Sequence, residues 1–360
     1  MKRYIYYIFL LLITWSCEDY YVPELEKYPD ALVVDGILTD QSDYTTIRLT
    51  RSANFDEPSS FVGEKGAIVT IESDNGESYS TKEISRGFYQ TVDQIKTDVG
   101  VGYWLKIITS DGTEYRSNVE KMPSPNPVDS IYLTDTVFRD VDYDFWGDPI
   151  VQDYDGITFS VIPHTPDTDD VGFLYKWDAL SNYYVVAEEG PMTLNYYCWK
   201  VKNSTQIYVY DLSPEDDNLV ELPLSDIHFL SYHSLGPLPI DSSRFALPID
   251  NLGTSSLYYK LKQFTITKEG SKFWRSVKSQ SEASGKLFDP IEDQIYGNIY
   301  CVSDSSKVVF GYFNAASYSD KVIAVSLGSN KINSSKVVDL MPIPTSDEDC
   351  FLGGKPDFWF

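Results

Sequence analysis

Between positions 31 and 117, the apolar and polar residues follow patterns that predict β-strands. Residues 44–50 (YTTIRLT) alternate between the two classes, as a strand with one buried face does. Residues 31–38 (ALVVDGIL) form a β-branched run, which also favours a strand. Asn75-Gly76 and Asp111-Gly112 stand between strand-like runs and favour hairpin turns. About seven short strands at this spacing predict an immunoglobulin-like β-sandwich over residues 30–125.

Residues 122–127 (MPSPNP) are rich in proline and interrupt the strand pattern. We expect a domain boundary there, followed by a larger β-rich domain over residues 126–360. One segment of that domain, residues 268–284, is mostly polar with Phe273 and Trp274 on one side, and it predicts a single amphipathic helix. The predicted fold class is therefore mainly β with one helix. The main strand-like runs are 130–138, 157–162, 172–180, 183–187, 194–202, 206–212, 227–232, 256–267, 308–315 and 321–326.

The first residues have the organisation of a secretory signal. Met1-Lys2-Arg3 is positively charged, and the apolar run after it, of about 12 residues, is shorter than the 20 or so that span a membrane. Ser16-Cys17 resembles the lipobox of bacterial lipoproteins, although Trp15 stands where that motif prefers a small residue. We expect residues 1–17 to be a lipoprotein signal peptide, with the lipid on Cys17. Residues 18–29 then form a tether.

The formal charge of −25 limits the classes of partner. A protein that binds nucleic acid needs a positive surface to neutralise phosphates, so we expect no nucleic-acid partner. Adsorption to anionic lipid through charge is disfavoured for the same reason. Removal of residues 1–17 takes away two basic residues and makes the chain more acidic. The lipid on Cys17 is therefore the predicted membrane contact.

The four cysteines are Cys17, Cys198, Cys301 and Cys350. If Cys17 carries lipid, three remain, and an odd number leaves one free or paired with another chain. Export would permit a disulfide. The sequence allows all three pairings among Cys198, Cys301 and Cys350 and does not choose among them.

Aromatic residues are abundant, with 28 tyrosines, 18 phenylalanines and 7 tryptophans. Tyrosine suits a half-buried strand, and it also suits surfaces that bind ligands. The densest cluster supplies the candidate ligand contacts, although packing in a core explains these residues equally well. The candidates are Tyr183, Tyr184, Tyr196, Tyr197 and Trp199.

Motifs of catalysis and of cofactor binding are absent from the sequence. There is no HExxH, CxxC, GxSxG, GxGxxG or GxxxxGK[ST] pattern, and the chain has three histidines. Acidic clusters such as residues 215–217 lack the spacing of an EF-hand and favour solvated loops. We therefore expect no enzyme activity, no cofactor and no metal site. A hydrolase built on an unrecognised pair of carboxylates is a minor alternative.

Short segments in a fixed order run along nearly the whole chain. They are Ser16-Cys17-Glu18-Asp19, 32–40, 47–53, 69–71 with the turn at 74–76, 87–89, 102–107, 128–132, 198–199, 273–274, 288–290, 297–300 and 311–313. In this order they resemble the Bacteroidota lipoproteins that share domain of unknown function 4249. No catalytic residue is established for that family.

The resemblance implies a role in the cell envelope. Members of that family often accompany TonB-dependent transporters, which implies an outer-membrane lipoprotein, at the cell surface or on the periplasmic face, that helps such a transporter take up a nutrient. The alternative is a structural or adhesive envelope lipoprotein without a soluble ligand.

Overall fold

A computed structural model describes residues 31–41, 43–52, 62–143, 146–164, 170–189, 192–204, 207–211, 229–231, 255–283, 295–328, 331–337 and 348–352. The chain is mainly β, as predicted, and the described residues include one helix. The elements are β1 Leu32–Thr39, β2 Thr46–Arg51, β3 Val62–Gly63, β4 Ile68–Ser73, β5 Ser78–Ser85, β6 Phe88–Thr91, β7 Gly102–Ile108, β8 Glu114–Ser117, β9 Glu120–Lys121, β10 Val128–Tyr143, β11 Pro149–Pro163, β12 Val171–Glu189, β13 Met192–Asn203, β14 Tyr208–Asp211, β15 Phe229–Ser231, β16 Ser255–Thr267, α1 Lys268–Ala283, β17 Ile299–Cys301, β18 Val309–Gly328, β19 Lys331–Val337 and β20 Glu348–Leu352.

Strands β1 to β9 form a two-layered sandwich. One layer contains β1, β2, β3 and β6, the other contains β4, β7, β8 and β9, and β5 pairs with β4 and with β6. Alternate residues of each strand meet in the core, for example Val34 and Leu49 from one layer with Ile71 and Leu105 from the other. This alternation is the pattern that predicted the strands.

Both predicted hairpin turns are confirmed. The turn between β4 and β5 has a hydrogen bond of 3.1 Å from Gly76 N to Ser73 O, and the turn between β7 and β8 has one of 2.8 Å from Gly112 N to Thr109 O. Asn75 and Asp111 accept further hydrogen bonds within these turns, as turn residues of this type do.

Two strands from much later in the chain complete the sandwich. β17 pairs antiparallel with β8, and the first half of β18 pairs parallel with β1, from Leu32↔Val309 to Thr39↔Ala316. Phe313 is fully buried in the same core as Val34. This contribution is not predictable from the sequence, because strand pairing across such a separation leaves no local signal.

The second half of the chain forms another sheet. β16 lies between β12 and β18, while β13 and β14 pair with the other edge of β12. The β10–β11 hairpin covers one face, where Phe159 stacks on Tyr259 with ring centroids 3.8 Å apart. Helix α1 covers the other face, where Trp274 packs against a cluster that includes Phe264.

The predicted helix at 268–284 is confirmed as α1. Thr267 caps its start, since the amide of Gly270 donates a hydrogen bond of 3.2 Å to the Thr267 hydroxyl. Along the described ranges, no helix is both long enough and apolar enough to cross a membrane.

Two long strands each cover a pair of runs that the sequence predicted as separate strands. β12 joins the runs 172–180 and 183–187, and β18 joins the runs 308–315 and 321–326. The polar residues between the runs of β18 mark a change of partner: Ala316 is the last to pair with β1, and Ser317 is the first to pair with β16. The break in the apolar pattern of β18 therefore marks the point where this strand passes from one sheet to the other.

Candidate functional site

A cavity of about 630 Å³ lies where the sandwich meets the second sheet. Its walls come from four parts of the chain. They are residues 118–126, which contain β9 and the proline-rich segment; His164 with Asp170 and Val171, around the start of β12; the end of β16 with the first turn of α1; and Tyr312 of β18. A more open pocket of about 740 Å³ beside it shares Asn118, Glu269 and Tyr312. The volume lies within the range of small-molecule sites, about 300–1,000 Å³.

Glu120 of β9 is the most elaborately held group in the cavity wall. Its side chain is buried, with 4 % of the residue exposed. The Thr267 hydroxyl donates to one oxygen at 2.6 Å, while the Tyr312 hydroxyl at 2.7 Å and the Asn298 amide at 3.1 Å donate to the other. Glu120 thus joins the sandwich to β16, to the residue before β17, and to β18. Burial raises the pKa of Glu120, although these hydrogen bonds oppose the rise.

Asn298 fixes the same junction from the opposite side. Its amide nitrogen also donates to Phe313 O at 2.8 Å, and its side-chain oxygen accepts from Phe313 N at 2.9 Å. Its backbone carbonyl accepts from Asn118 N at 2.7 Å. The residue therefore connects β18 with the stretch that leads into β9.

The proline-rich segment forms one wall of the cavity, and side chains of the second sheet bind its carbonyl groups. The Gln263 amide donates to Asn126 O at 2.6 Å, the Ser319 hydroxyl donates to the same oxygen at 3.1 Å, and the Ser317 hydroxyl donates to Pro123 O. The segment predicted as a domain boundary is thus docked on the sheet that follows it.

Two buried polar groups of the lining have no hydrogen-bond partner within the described part of the chain. They are the side-chain oxygen of Asn126 and the hydroxyl of Thr265, in residues that are 7 % and 1 % exposed. Buried polar atoms are normally satisfied, but these two atoms are themselves covered by protein and do not face the open space of the cavity.

The charges of the lining are mostly negative. Three acidic residues, Glu120, Asp170 and Glu269, line the cavity together with one lysine, Lys121, and with His164. A lining of this composition disfavours an anion and favours a ligand that donates hydrogen bonds or carries positive charge.

We predict that Glu120 makes stability depend on pH in a specific direction. The folded protein holds the proton of Glu120 more tightly than the unfolded chain does. The stability of the protein therefore falls as the pH rises above 4.5, the ordinary pKa of a glutamic acid side chain. In the Glu120→Gln variant this position cannot titrate. Thermal unfolding between about pH 8 and pH 4.5 should show the wild type gaining stability relative to the variant on acidification. A relative loss on acidification would contradict the raised pKa.

The predicted ligand-contact aromatics lie on the β12–β13 hairpin, and their side chains are outside the described residues. Their backbones share one ladder, with Tyr184↔Tyr197 and Asn182↔Trp199 as partners. On β12, Tyr183 lies about 40 Å of strand beyond Val171, the β12 residue in the cavity wall. Tyr183 and Tyr196 lie in the same ladder. The predicted cluster and the cavity are therefore different places on the protein.

The cysteines are distributed over three places. Cys17, the predicted lipidation site, lies outside the described residues. Cys301 is a free thiol buried in the sandwich core. Cys198 of β13 stands directly opposite Cys350 of β20 in the strand register. Within the described ranges, no three His, Cys, Asp or Glu side chains cluster as a metal site would require.

Sequence reasoning missed Glu120 and Thr267. Glu120 is one of 54 acidic residues, and its importance comes from donors that lie far away in the chain. Asn298 and Tyr312 could have been singled out from the sequence, because both lie in short segments that carried the family resemblance.

Comparison with known proteins places the chain in a family. No curated protein matches it. The family model described as domain of unknown function (DUF4249) matches residues 18–322. The protein belongs to this family.

Proposed function

We propose that this protein is an outer-membrane lipoprotein, anchored through Cys17, that serves as a non-catalytic binding component of a TonB-dependent nutrient uptake system. The observation that carries the binding role is the cavity between the sandwich and the second sheet, whose volume of about 630 Å³ suits a small molecule. The signal-like residues 1–17 support the anchor, and the family context supports the transporter.

The lining defines the class of molecule that the cavity would accept. Its excess of carboxylates favours a ligand rich in hydrogen-bond donors, neutral or cationic. Apolar surface from Pro123, Pro125 and Val171 would contact its carbon skeleton. Hydroxyl-rich or amine-bearing nutrients have this combination of groups.

A structural role accounts for Glu120 better than catalysis does. An acid–base catalyst needs a carboxyl oxygen that can reach a substrate proton. Both oxygens of Glu120 instead accept hydrogen bonds from the protein, from Thr267 on one side and from Tyr312 and Asn298 on the other. The carboxylate therefore fastens two parts of the fold together at the cavity wall.

Affinity purification from native membranes tests the proposal as a whole. We expect the full-length protein to partition with membranes and to bring down a TonB-dependent transporter, identified by mass spectrometry. Cys17→Ala should abolish lipid attachment and greatly reduce transporter recovery, since anchoring places both proteins in one membrane. Recovery of the lipidated protein alone would favour the structural or adhesive alternative.

Native mass spectrometry then tests ligand binding in the cavity independently of the transporter. The protein is incubated with the small-molecule fraction of a complex growth medium, and bound mass is recorded. Ser124→Trp, at an exposed position in the cavity wall, should block a bound adduct, while Ser110→Trp, in the exposed β7–β8 turn, serves as the matched control. An adduct that both variants retain would place binding elsewhere.

A further inference from the structure

The strand register brings together two cysteines that are far apart in sequence. β13 and β20 pair antiparallel, and Cys198 is the partner of Cys350 in that ladder. Their neighbours, Tyr197 with Phe351 and Trp199 with Asp349, continue the same register without a bulge. The juxtaposition is therefore part of a regular ladder.

Backbone geometry at such a position is compatible with a disulfide. Directly opposed residues in antiparallel strands have Cα atoms about 4.5 to 5.5 Å apart. Disulfides join cysteines whose Cα atoms are about 4.4 to 6.8 Å apart. Opposed residues also share a face of the sheet. Cys198 and Cys350 meet these backbone requirements in either class of antiparallel pair.

The remaining cysteine is in a different environment. Cys301 lies in β17, which pairs with β8 on the sandwich, and the residue is 4 % exposed. It is free, and its sulfur contacts the hydroxyl of Ser303 at 3.5 Å. The choice among three pairings that the sequence left open is thereby reduced to one.

We propose that Cys198 and Cys350 form a disulfide after export. The two thiols lose two protons and two electrons as the sulfur–sulfur bond forms. An oxidised protein disulfide of the thiol oxidoreductase class accepts them and becomes a dithiol. The proposal rests on export from the cytoplasm, where such bonds are kept reduced, and it is independent of what the cavity binds.

The bond would hold the C-terminal strand on the edge of β13. An uncovered edge strand offers unpaired backbone groups to other chains, and a covering strand removes that hazard. β13 also forms the hairpin with β12 that carries the tyrosine-rich ladder. The disulfide would therefore fix the position of this hairpin from its outer side.

Peptide mapping tests the pairing directly, because trypsin separates the three cysteines. Cys198 falls on peptide 177–200, Cys301 on peptide 287–307 and Cys350 on peptide 337–360. The full-length protein is purified from the cell envelope, alkylated under denaturing conditions without reduction, and digested. We expect peptide 177–200 linked to peptide 337–360, at a mass two hydrogens below their sum, and peptide 287–307 alkylated. Complete alkylation of all three, or any link through 287–307, would overturn the proposal.

Serine variants supply the matched controls. Cys301→Ser should leave the link intact, while Cys198→Ser should abolish it and expose Cys350 to alkylation. Reduction should lower the Tm of the wild type and of Cys301→Ser by about 5–10 °C, as loss of a disulfide that closes a long loop does. Cys198→Ser should show no such response to reductant. Equal responses of the two variants would count against the bond.

Discussion

Gly311→Ala is expected to abolish folding or to lower the free energy of unfolding by more than about 4 kcal/mol, the range of severe single substitutions. Gly311 lies in β18, where this strand meets β1, and its φ is +92°. A β-carbon there would overlap the carbonyl oxygen of Val34 and lie 2.7 Å from the carbonyl carbon. Backbone atoms of a paired strand cannot move away without breaking the ladder.

Gly112→Ala is the matched control for that prediction. Gly112 has a similar φ, +85°, but a β-carbon there would meet nothing within 4 Å. This variant should therefore lose only the cost of placing alanine in the left-handed backbone conformation, about 1 kcal/mol of the free energy of unfolding. Urea denaturation followed by circular dichroism would measure both variants. Similar losses for the two would show that close approach to Val34 is not what requires glycine at 311.

Glu120→Ala is expected to lower the free energy of unfolding by about 3 kcal/mol. The substitution removes one acceptor from three donors, the buried Asn298 and Tyr312 and the half-buried Thr267, and Asn298 keeps its second bond to Phe313 O. Hydrogen bonds to a charged group contribute about 1.5–3 kcal/mol each, and relief of the buried charge offsets part of the loss. At roughly 2–4 °C per kcal/mol, Tm should fall by about 6–12 °C.

A double-mutant cycle with Tyr312→Phe shows whether this loss comes from the hydrogen bonds. Tyr312→Phe alone should cost about 1.5 kcal/mol, because it removes one donor and keeps the ring that packs on Phe273. In the Glu120→Ala background it should cost almost nothing, because the hydroxyl already lacks its acceptor. Additive losses would mean that Glu120 stabilises the junction through other contacts.

Local features of the fold were predictable from the sequence for a physical reason. Strand alternation, turn residues and the amphipathic helix all depend on residues within a few positions of one another. The two hairpin turns at Gly76 and Gly112, and the helix at 268–283, were therefore found with nearly correct bounds. Strands of two or three residues, such as β9 and β17, carry too little pattern to be recognised.

Features that depend on distant pairing were not predictable. The sandwich core includes Ile299 and Phe313, whose apolar character is equally compatible with the second sheet. The cavity likewise combines Glu120 with Thr267 and Tyr312, which no spacing rule connects. Composition instead directed attention to the tyrosine-rich β12–β13 ladder, which lies elsewhere on the fold.

The pairing of β1 with β18 has a consequence for biogenesis. The amide of Tyr318 bonds to the side chain of Asp40, 278 positions earlier. A chain that is synthesised from its N-terminal end exposes β1 long before β18 follows. Until then, one edge of the sandwich stays open to aggregation, and closure of so long a loop is slow. A chaperone that shields the growing chain would thus act mainly before β18 has been made.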